Sequence, residues 1–395
     1  MSVRRPLAAL SAALLTALTV ASTAGTASAA PAAPRADYIV VLADDAPQGA
    51  ALTQARGLGG RVGHTYRHAL NGFSVSLAGP AAERLSRLPG VVSVEPVVAV
   101  RAKPAPAPVS STPWGLDRID QRTGLSGTYS PAGTGAGVTA YVIDTGINAT
   151  HDDFDGRVTH GADHVDDVLP ADDCNGHGTH VAGTLGGKAH GVAPGVALVA
   201  VRVLDCSGSG YTDDVIAGID YVVGVHEPGT PAVANLSLGS AASDAVDAAV
   251  ERAIVDGVTV VVAAGNGNQA GRPQDACGYS PARVPGALTV AATDRTDTVA
   301  SFSNYGRCVD LYAPGVAILS DWYGSTTATT TISGTSMASP HVAGAAAVYL
   351  QTHQTALPSA VATAVTGTAT TGVVKRGVST TPNRLLFAGT ALLAG

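Results

Sequence analysis

An α/β fold, with a mostly parallel sheet covered by helices on both faces, is what the sequence predicts for the larger part of this chain. A small α+β unit is predicted ahead of it. Three observations carry this. Val258 to Ala263 is an apolar run, as expected of a strand buried on both faces. From about Trp114 onward, strand-like and helix-like segments alternate, the pattern of parallel βα units. Residues 37 to about 101 read β-α-β-α-β in one short stretch, which suits a ferredoxin-like unit. The 395 residues are 46% hydrophobic and 13% charged, enough to bury a large core in two or three domains. The 47 glycines indicate a tightly turned, well-packed protein and not a disordered or coiled one. A net charge of −7, a pI near 5.8 and no basic block argue against a nucleic-acid binder.

Taken in order, Met1 to Ala30 has the pattern of a secretory signal. Arg4 and Arg5 form its positive end, Leu7 to Val20 its apolar run and Ala27-Ser28-Ala29 its small-residue cleavage site. The apolar run is short and rich in Ala and Thr, so cleavage after residue 29 is favoured over a membrane anchor. The chain is then expected to be exported and free of the membrane. In the small unit, Tyr38 to Leu42, Phe73 to Leu77 and Val91 to Val100 read as strands, with a further strand near His64 to Arg67. Ala50 to Arg56 and Pro80 to Leu88 read as helices. An alternating Pro/Ala linker follows, Lys103 to Pro108, expected to be extended and exposed. Such a linker is a natural processing site. Bonds running into proline are poor protease substrates, which puts the expected new terminus near Ala107 to Ser110.

In the large unit, strands are expected at Val138 to Ile143, Val196 to Leu204, Ala232 to Leu238 and Val258 to Ala263. Helices are expected at Gly176 to Gly186, at Thr212 to Val223 with Thr212 as N-cap, and at Ser243 to Asp256, stopped by Gly257. Asp144 closes the first strand and Asn266 lies just past the last. Functional groups collect at such carboxyl ends.

Four cysteines in an exported chain point to two disulfides. Three pairings are possible. The simplest joins neighbours, Cys174 with Cys206 and Cys277 with Cys308. No cysteine has the flanks of a nucleophile, and no zinc-finger spacing is present.

Ser333 to Gly344 reads SGTSMASPHVAG and opens a helix of small and apolar residues. Pro340 suits only the first turn, which places Ser336 at a helix N-terminus beside free N–H groups and the positive dipole end. A serine there is equally well read as an N-cap or as a nucleophile. Other residues also have ordinary structural readings: Asp144 as a turn residue, Asn266 as a left-handed turn residue, and His177 with His180 as a metal pair lacking a third ligand. Gly133-Thr-Gly135-Ala-Gly137 precedes its strand, so it does not suit a dinucleotide loop.

Together, Tyr141 to Gly146, Asn175 to Gly183, Ala263 to Asn266 and Ser333 to Gly344 resemble the subtilisin-like serine proteases, or subtilases. They are most similar to the proteinase K branch and its aqualysin group. Trp114 to Asp120, Ala232 to Gly239 and Ser301 to Gly306 extend the resemblance, which runs to about Phe387. The order Asp, His, Ser is the subtilisin order. The resemblance implies a subtilisin-like α/β/α fold with Asp144, His177 and Ser336 as the catalytic triad and Asn266 as oxyanion donor. It implies a first specificity pocket lined by Leu238, Ala263, Ala264 and Gly265, open to large apolar or aromatic residues. An extended protein or peptide substrate would pair with Ser237-Leu238-Gly239 and lie near Ser209-Gly210-Tyr211. Residues 37 to 101 resemble the family's inhibitory, folding-assisting propeptide. The expected division is signal peptide 1–29, propeptide with linker 30–106 and peptidase domain 107–395, acting as a monomer. Calcium is implied at Pro285, Ala287 and Asp310, and at a second set, Asp117, Asp120 and Gln121, whose following loop is shorter here. The neighbour pairing of cysteines agrees with the aqualysin pattern. The rival classes are an inactive scaffold that binds partners, disfavoured because all four site residues are present, and a nucleotide-binding protein, disfavoured for lack of a phosphate loop.

Overall fold

A computed structural model describes residues 34–102, 105–106, 113–268 and 270–394. The signal segment and the expected processing point lie outside these residues. The first strands and helices are β1 (Arg35–Leu42), α1 (Gln48–Gly57), β2 (Arg61–Tyr66), β3 (Gly72–Ala78), α2 (Gly79–Leu85) and β4 (Val91–Pro96). The strands form an antiparallel sheet of order β2-β3-β1-β4. The period-two alternation of side chains sets Phe73, Val75 and Leu77 of β3, with Val40 of β1, against Ala55, Ala82 and Leu85 of the two helices. The expected strand to Val100 is broken. The chain leaves the sheet at Pro96, and β5 (Ala99–Arg101) pairs elsewhere. Proline has no N–H for the ladder.

Next come β6 (Ala105–Pro106), α3 (Trp114–Ile119), β7 (Thr139–Asp144), β8 (Val158–Asp163), α4 (His177–Gly186), β9 (Ala197–Arg202), β10 (Ser209–Tyr211) and α5 (Thr212–Val225). They are followed by β11 (Ala232–Leu236), β12 (Ser240–Ala241), α6 (Asp244–Asp256), β13 (Thr259–Ala263), β14 (Tyr279–Ser280), β15 (Leu288–Thr293), β16 (Leu311–Pro314) and β17 (Ile318–Asp321). The chain closes with β18 (Thr329–Ser333), α7 (Thr335–Thr352), α8 (Pro358–Thr368), β19 (Thr370–Thr371) and β20 (Arg384–Leu385). The nine-stranded sheet runs β19-β20-β16-β15-β13-β11-β7-β9-β8, parallel except where β19 meets β20.

Two apolar layers cover it. Val181, Leu185, Val342 and Ala346 of α4 and α7 pack on one face. Val215, Ile219, Val246 and Val250 of α5 and α6 pack on the other. Ser243 caps α6 by accepting the Val246 N–H, and Gly257 ends it at φ 111°. Thr212 is not the cap of α5 but its first residue, because its hydroxyl is taken by the Val98 N–H at 3.1 Å. Both neighbour disulfides form, Cys174–Cys206 and Cys277–Cys308.

The small sheet rests on α5 and α6. Its Ile39, Tyr66 and Ala69 join their apolar layer. Asp220 of α5 accepts the N–H groups of Arg67, His68 and Ala69 at 2.6 to 2.9 Å. Glu95 accepts the Ser243 hydroxyl and the Ala245 N–H at the start of α6.

Below the last turn of α4, Asp153, His190 and Asp321 form a buried cluster. His190 Nδ1 lies 2.8 Å from Asp321 and 3.3 Å from Asp153. Burial pulls the His190 pKa down, but the hydrogen bonds to Asp153 and Asp321 outweigh it and lift the value to about 9. A histidine raised in the folded state stabilises fully below its unfolded value near 6.5, and this is lost as pH rises through about 9. In a Ser336→Ala chain, raising the pH from about 6.5 to above 9 should therefore cost roughly 2 kcal/mol of stability, after discounting for solvent at the ring edge. Denaturant unfolding at the two pH values checks this. A His190→Asn chain with the same slope would remove the cluster as its cause.

Candidate active site

Asp144, His177, Asn266 and Ser336 converge at the carboxyl edge of the sheet. Asp144 ends β7, His177 begins α4, Asn266 lies beyond β13, and Ser336 is the second residue of α7. His177 Nδ1 is 2.7 Å from Asp144 Oδ1, and both side chains are fully buried. Asp144 Oδ1 also accepts the Thr145 N–H at 2.8 Å.

The glycines around His177 have separate tasks. Gly176, the residue before α4, has φ 111° and lies under the Trp322 ring, where a Cβ would fall 2.4 Å from ring carbon. Gly178 lets α4 touch the end of β7, since a Cβ there would sit 2.1 Å from the Gly146 carbonyl. Asp173 ties the two together. It accepts the Thr145 hydroxyl, the N–H groups of Asn175, Gly176 and Thr179, and the Thr179 hydroxyl. Sequence reasoning missed this residue. The available signal was an acidic residue just before a cysteine and a helix start. His180 is not a metal ligand partner for His177. Its Nε2 lies 3.0 Å from the Ile318 carbonyl, and burial pushes its pKa down to about 3.

Ser336 sits at a helix start as expected, but Pro340 lies in the second turn. Proline cannot donate to the Ser336 carbonyl four residues back. Ser237 fills the gap, its hydroxyl donating to that carbonyl at 2.8 Å. In return the Ser336 hydroxyl donates to the Ser237 carbonyl at 3.1 Å. His177 Nε2 is buried and has no hydrogen-bond partner among the described residues. Thr335 holds Asn266 through its N–H and hydroxyl, both 2.8 Å from Asn266 Oδ1. This fixes which end of the amide is the acceptor and leaves Nδ2 on the Gly334 side, where a Cβ would come within 3.2 Å. Asn304 braces the same loop, donating to the Ala264 carbonyl and accepting the N–H groups of Gly267 and Gln274.

A cavity of about 310 Å³ opens beside Ser336 and Asn266, lined by Leu238, Ala263, Ala264, Gly265 and, beyond the expected set, Tyr279, Ala282 and Asn304. Its edge is filled by this chain's own strand. β5 pairs antiparallel with Ser209-Gly210-Tyr211, and Arg101 donates to the Gly239 carbonyl. Further on, β6 pairs with Ile332 and Ser333 of β18, so this part of the linker is extended but not free. Ser237 faces α7 and not this edge.

Asp310 accepts the Thr289 N–H at 2.8 Å, two residues past Ala287. Burial raises its pKa to about 6, against the pull of that bond and of Arg384. Such a carboxylate is short of positive charge, and with the Pro285 and Ala287 segment beside it the group fits a hard cation. In the other set the residues differ. Asp117 is saturated by the Ser126 N–H and hydroxyl and the Gly127 N–H, and Gln121 turns its amide nitrogen toward it. Asp120 accepts the Ser130 N–H through Oδ2, while its Oδ1 is buried with no hydrogen-bond partner among the described residues and burial raises its pKa.

A sheet of this topology, with aspartate, histidine and serine at its carboxyl edge, defines a subtilisin-type hydrolase fold. Residues 135–386 match the Subtilase family and residues 37–103 match Peptidase inhibitor I9. The chain belongs to the subtilase family, and it is a serine proteinase with an I9 propeptide. It is 54% identical over 345 residues to an extracellular serine proteinase of Thermus sp. strain Rt41A, covering 86% of this chain and 82% of that protein. A cuticle-degrading serine protease of Arthrobotrys oligospora is 41% identical, covering 86% and 83%. A solved cold adapted subtilisin-like serine proteinase superposes with TM-score 0.66 at 51% identity, over 71% of this chain and 99% of that one. Among the described residues no helix is long and apolar enough to cross a membrane.

Proposed function

We propose that this chain is a secreted endopeptidase, made as an inhibited precursor, in which Ser336 attacks the substrate carbonyl. The observation that carries the reading is the buried 2.7 Å contact of His177 with Asp144, in a chain whose Ser336 stands at the start of α7. The Ser336 hydroxyl turns from the Ser237 carbonyl toward His177 Nε2 and gives up its proton as its Oγ bonds to the carbonyl carbon. Asp144 holds the tautomer and stabilises the imidazolium. The tetrahedral oxyanion takes hydrogen bonds from Asn266 Nδ2 and the Ser336 N–H. His177 returns its proton to the departing amine, leaving an acyl-enzyme. Water, deprotonated by the same imidazole, then releases the acid and restores Ser336.

The seating of β5 supports an extended substrate bound by strand addition along Gly210 and Gly239. The small residues around the adjacent cavity favour large apolar or aromatic side chains before the scissile bond, with Tyr211 bordering a more distal pocket. Residues 1–29 are the signal, 30–106 the inhibitory segment with its linker, and 107–395 the peptidase, working as a monomer. Autoprocessing near Ala107 to Ser110 frees the cleft. Calcium at Asp310 with the Pro285 and Ala287 carbonyls is structural. It neutralises the buried carboxylate.

The processed protein should take a fluorophosphonate label at Ser336, located by peptide mass spectrometry and lost on denaturation. No adduct in folded, propeptide-free protein would leave an inactive binding scaffold as the reading. Asn266→Ala should lower turnover about 10²- to 10³-fold, the magnitude known for subtilisin's own oxyanion donor and carried over here. Near-normal kcat would remove its oxyanion role. Calcium should raise the melting temperature of a Ser336→Ala chain but not of one also carrying Asp310→Asn. An equal rise in both would place the ion elsewhere.

A further inference from the structure

Away from the active site, imidazoles and carboxylates crowd the seam where the propeptide sheet meets α5. His64 projects from β2 of the propeptide, and its Nε2 lies 3.0 Å from Asp214 Oδ1. Asp213 and Asp214 open α5. His164 and Asp167 follow β8, and the His164 ring stands edge-on to that of His64 with centroids 5.6 Å apart. His64 with Asp213 and Asp214, and His64 with His164 and Asp167, are two sets whose donor atoms lie within 4.8 Å of one another.

The pair His64–Asp214 explains only part of this cluster. His164 Nε2 is buried and has no hydrogen-bond partner among the described residues. Burial, then the charge of His64, pushes the His164 pKa down, which keeps a neutral ring of the kind that ligates metals. One imidazole nitrogen is thus left buried and unpartnered beside the His64 ring.

We propose that His64, His164 and Asp167, with water as the fourth ligand, bind one zinc-class divalent cation that clamps the propeptide onto the peptidase. Two imidazoles with carboxylate oxygens suit zinc and exclude a preference for calcium. Bonds of about 2.0–2.1 Å place tetrahedral donors about 3.4 Å apart, so the observed spacing closes by side-chain rotation. Asp214 Oδ2 also accepts the Tyr211 N–H at 3.2 Å. Asp214, which holds the His64 ring at 3.0 Å, thereby ties the clamp to the end of β10, the strand on which β5 lies in the substrate edge. The site exists only while the propeptide is seated, because His64 leaves with it. Zinc thus prolongs the inhibited form.

The clamp rests on the inhibitory reading of residues 37–103, but its test needs no activity. The uncleaved Ser336→Ala chain, kept in excess calcium, is titrated with zinc by calorimetry and with cobalt(II) by visible absorption. One cation should bind per chain, with the intense absorption of a tetrahedral centre. That step should be lost in His64→Ala and in His164→Asn. The second variant keeps the test open if the first chain fails to fold. No binding by the parent chain, as expected of a simple proton-linked His64–Asp214 pair, overturns the proposal. Equal binding by parent and both variants does so as well.

Discussion

The contact on which the site depends is the approach of the first turn of α4 to the end of β7. Nothing larger than a hydrogen fits between Gly178 and the Gly146 carbonyl. That closeness brings His177 onto Asp144, and the polar knot at Asp173 keeps it there with five hydrogen bonds of 2.6 to 2.9 Å. A buried carboxylate so fully engaged is costly to disturb, since each donor left unpaired carries its full desolvation penalty. The imidazole is therefore positioned by backbone that was fixed for other reasons, and the reacting atoms inherit that rigidity.

The serine is held by a different economy. Pro340 removes one rung from the ladder of α7, and the carbonyl thus freed belongs to Ser336 itself. Ser237, one residue before Leu238 of the cavity lining, takes up that rung with its side chain. The nucleophile's backbone is thereby tied to the same segment that flanks the substrate edge, so movement of one is felt by the other. Thr335, one residue earlier, fixes the orientation of Asn266. Two adjacent residues of one helix start, Thr335 and Ser336, thus tie Asn266 and the Ser237 segment to α7.

Much of this was legible in the sequence, for identifiable reasons. Strands buried on both faces announce themselves as apolar runs, and glycine-bounded motifs mark where strands end. The parallel sheet, the neighbour disulfides and the helix starts at His177 and Ser336 all followed. What escaped were effects that only tertiary contact creates. Val91 to Val100 is apolar enough for one strand, yet Pro96 and the waiting edge at Tyr211 divide it in two. Thr212 has the chemistry of an N-cap, but the Val98 N–H claims its hydroxyl. Pro340 carries the ordinary signature of a first turn and sits in the second, because Ser237, distant in sequence, compensates. Asp173 and Asn304 resemble loop residues until their partners are assembled around them. Asp117, too, reads as a cation ligand only until Ser126 and Gly127 close over it.

The strand β5 has a consequence for how this protein can change. The edge at Gly210 and Gly239 is read first by the chain's own residues 99 to 101, before any other polypeptide reaches it. With the edge taking substrate as proposed, a substitution that reshapes it for a new class of peptides would alter the seating of residues 99 to 101 at the same stroke. Selectivity and latency are therefore heritable only together, and the cleft can drift no faster than the tail that must still sit in it.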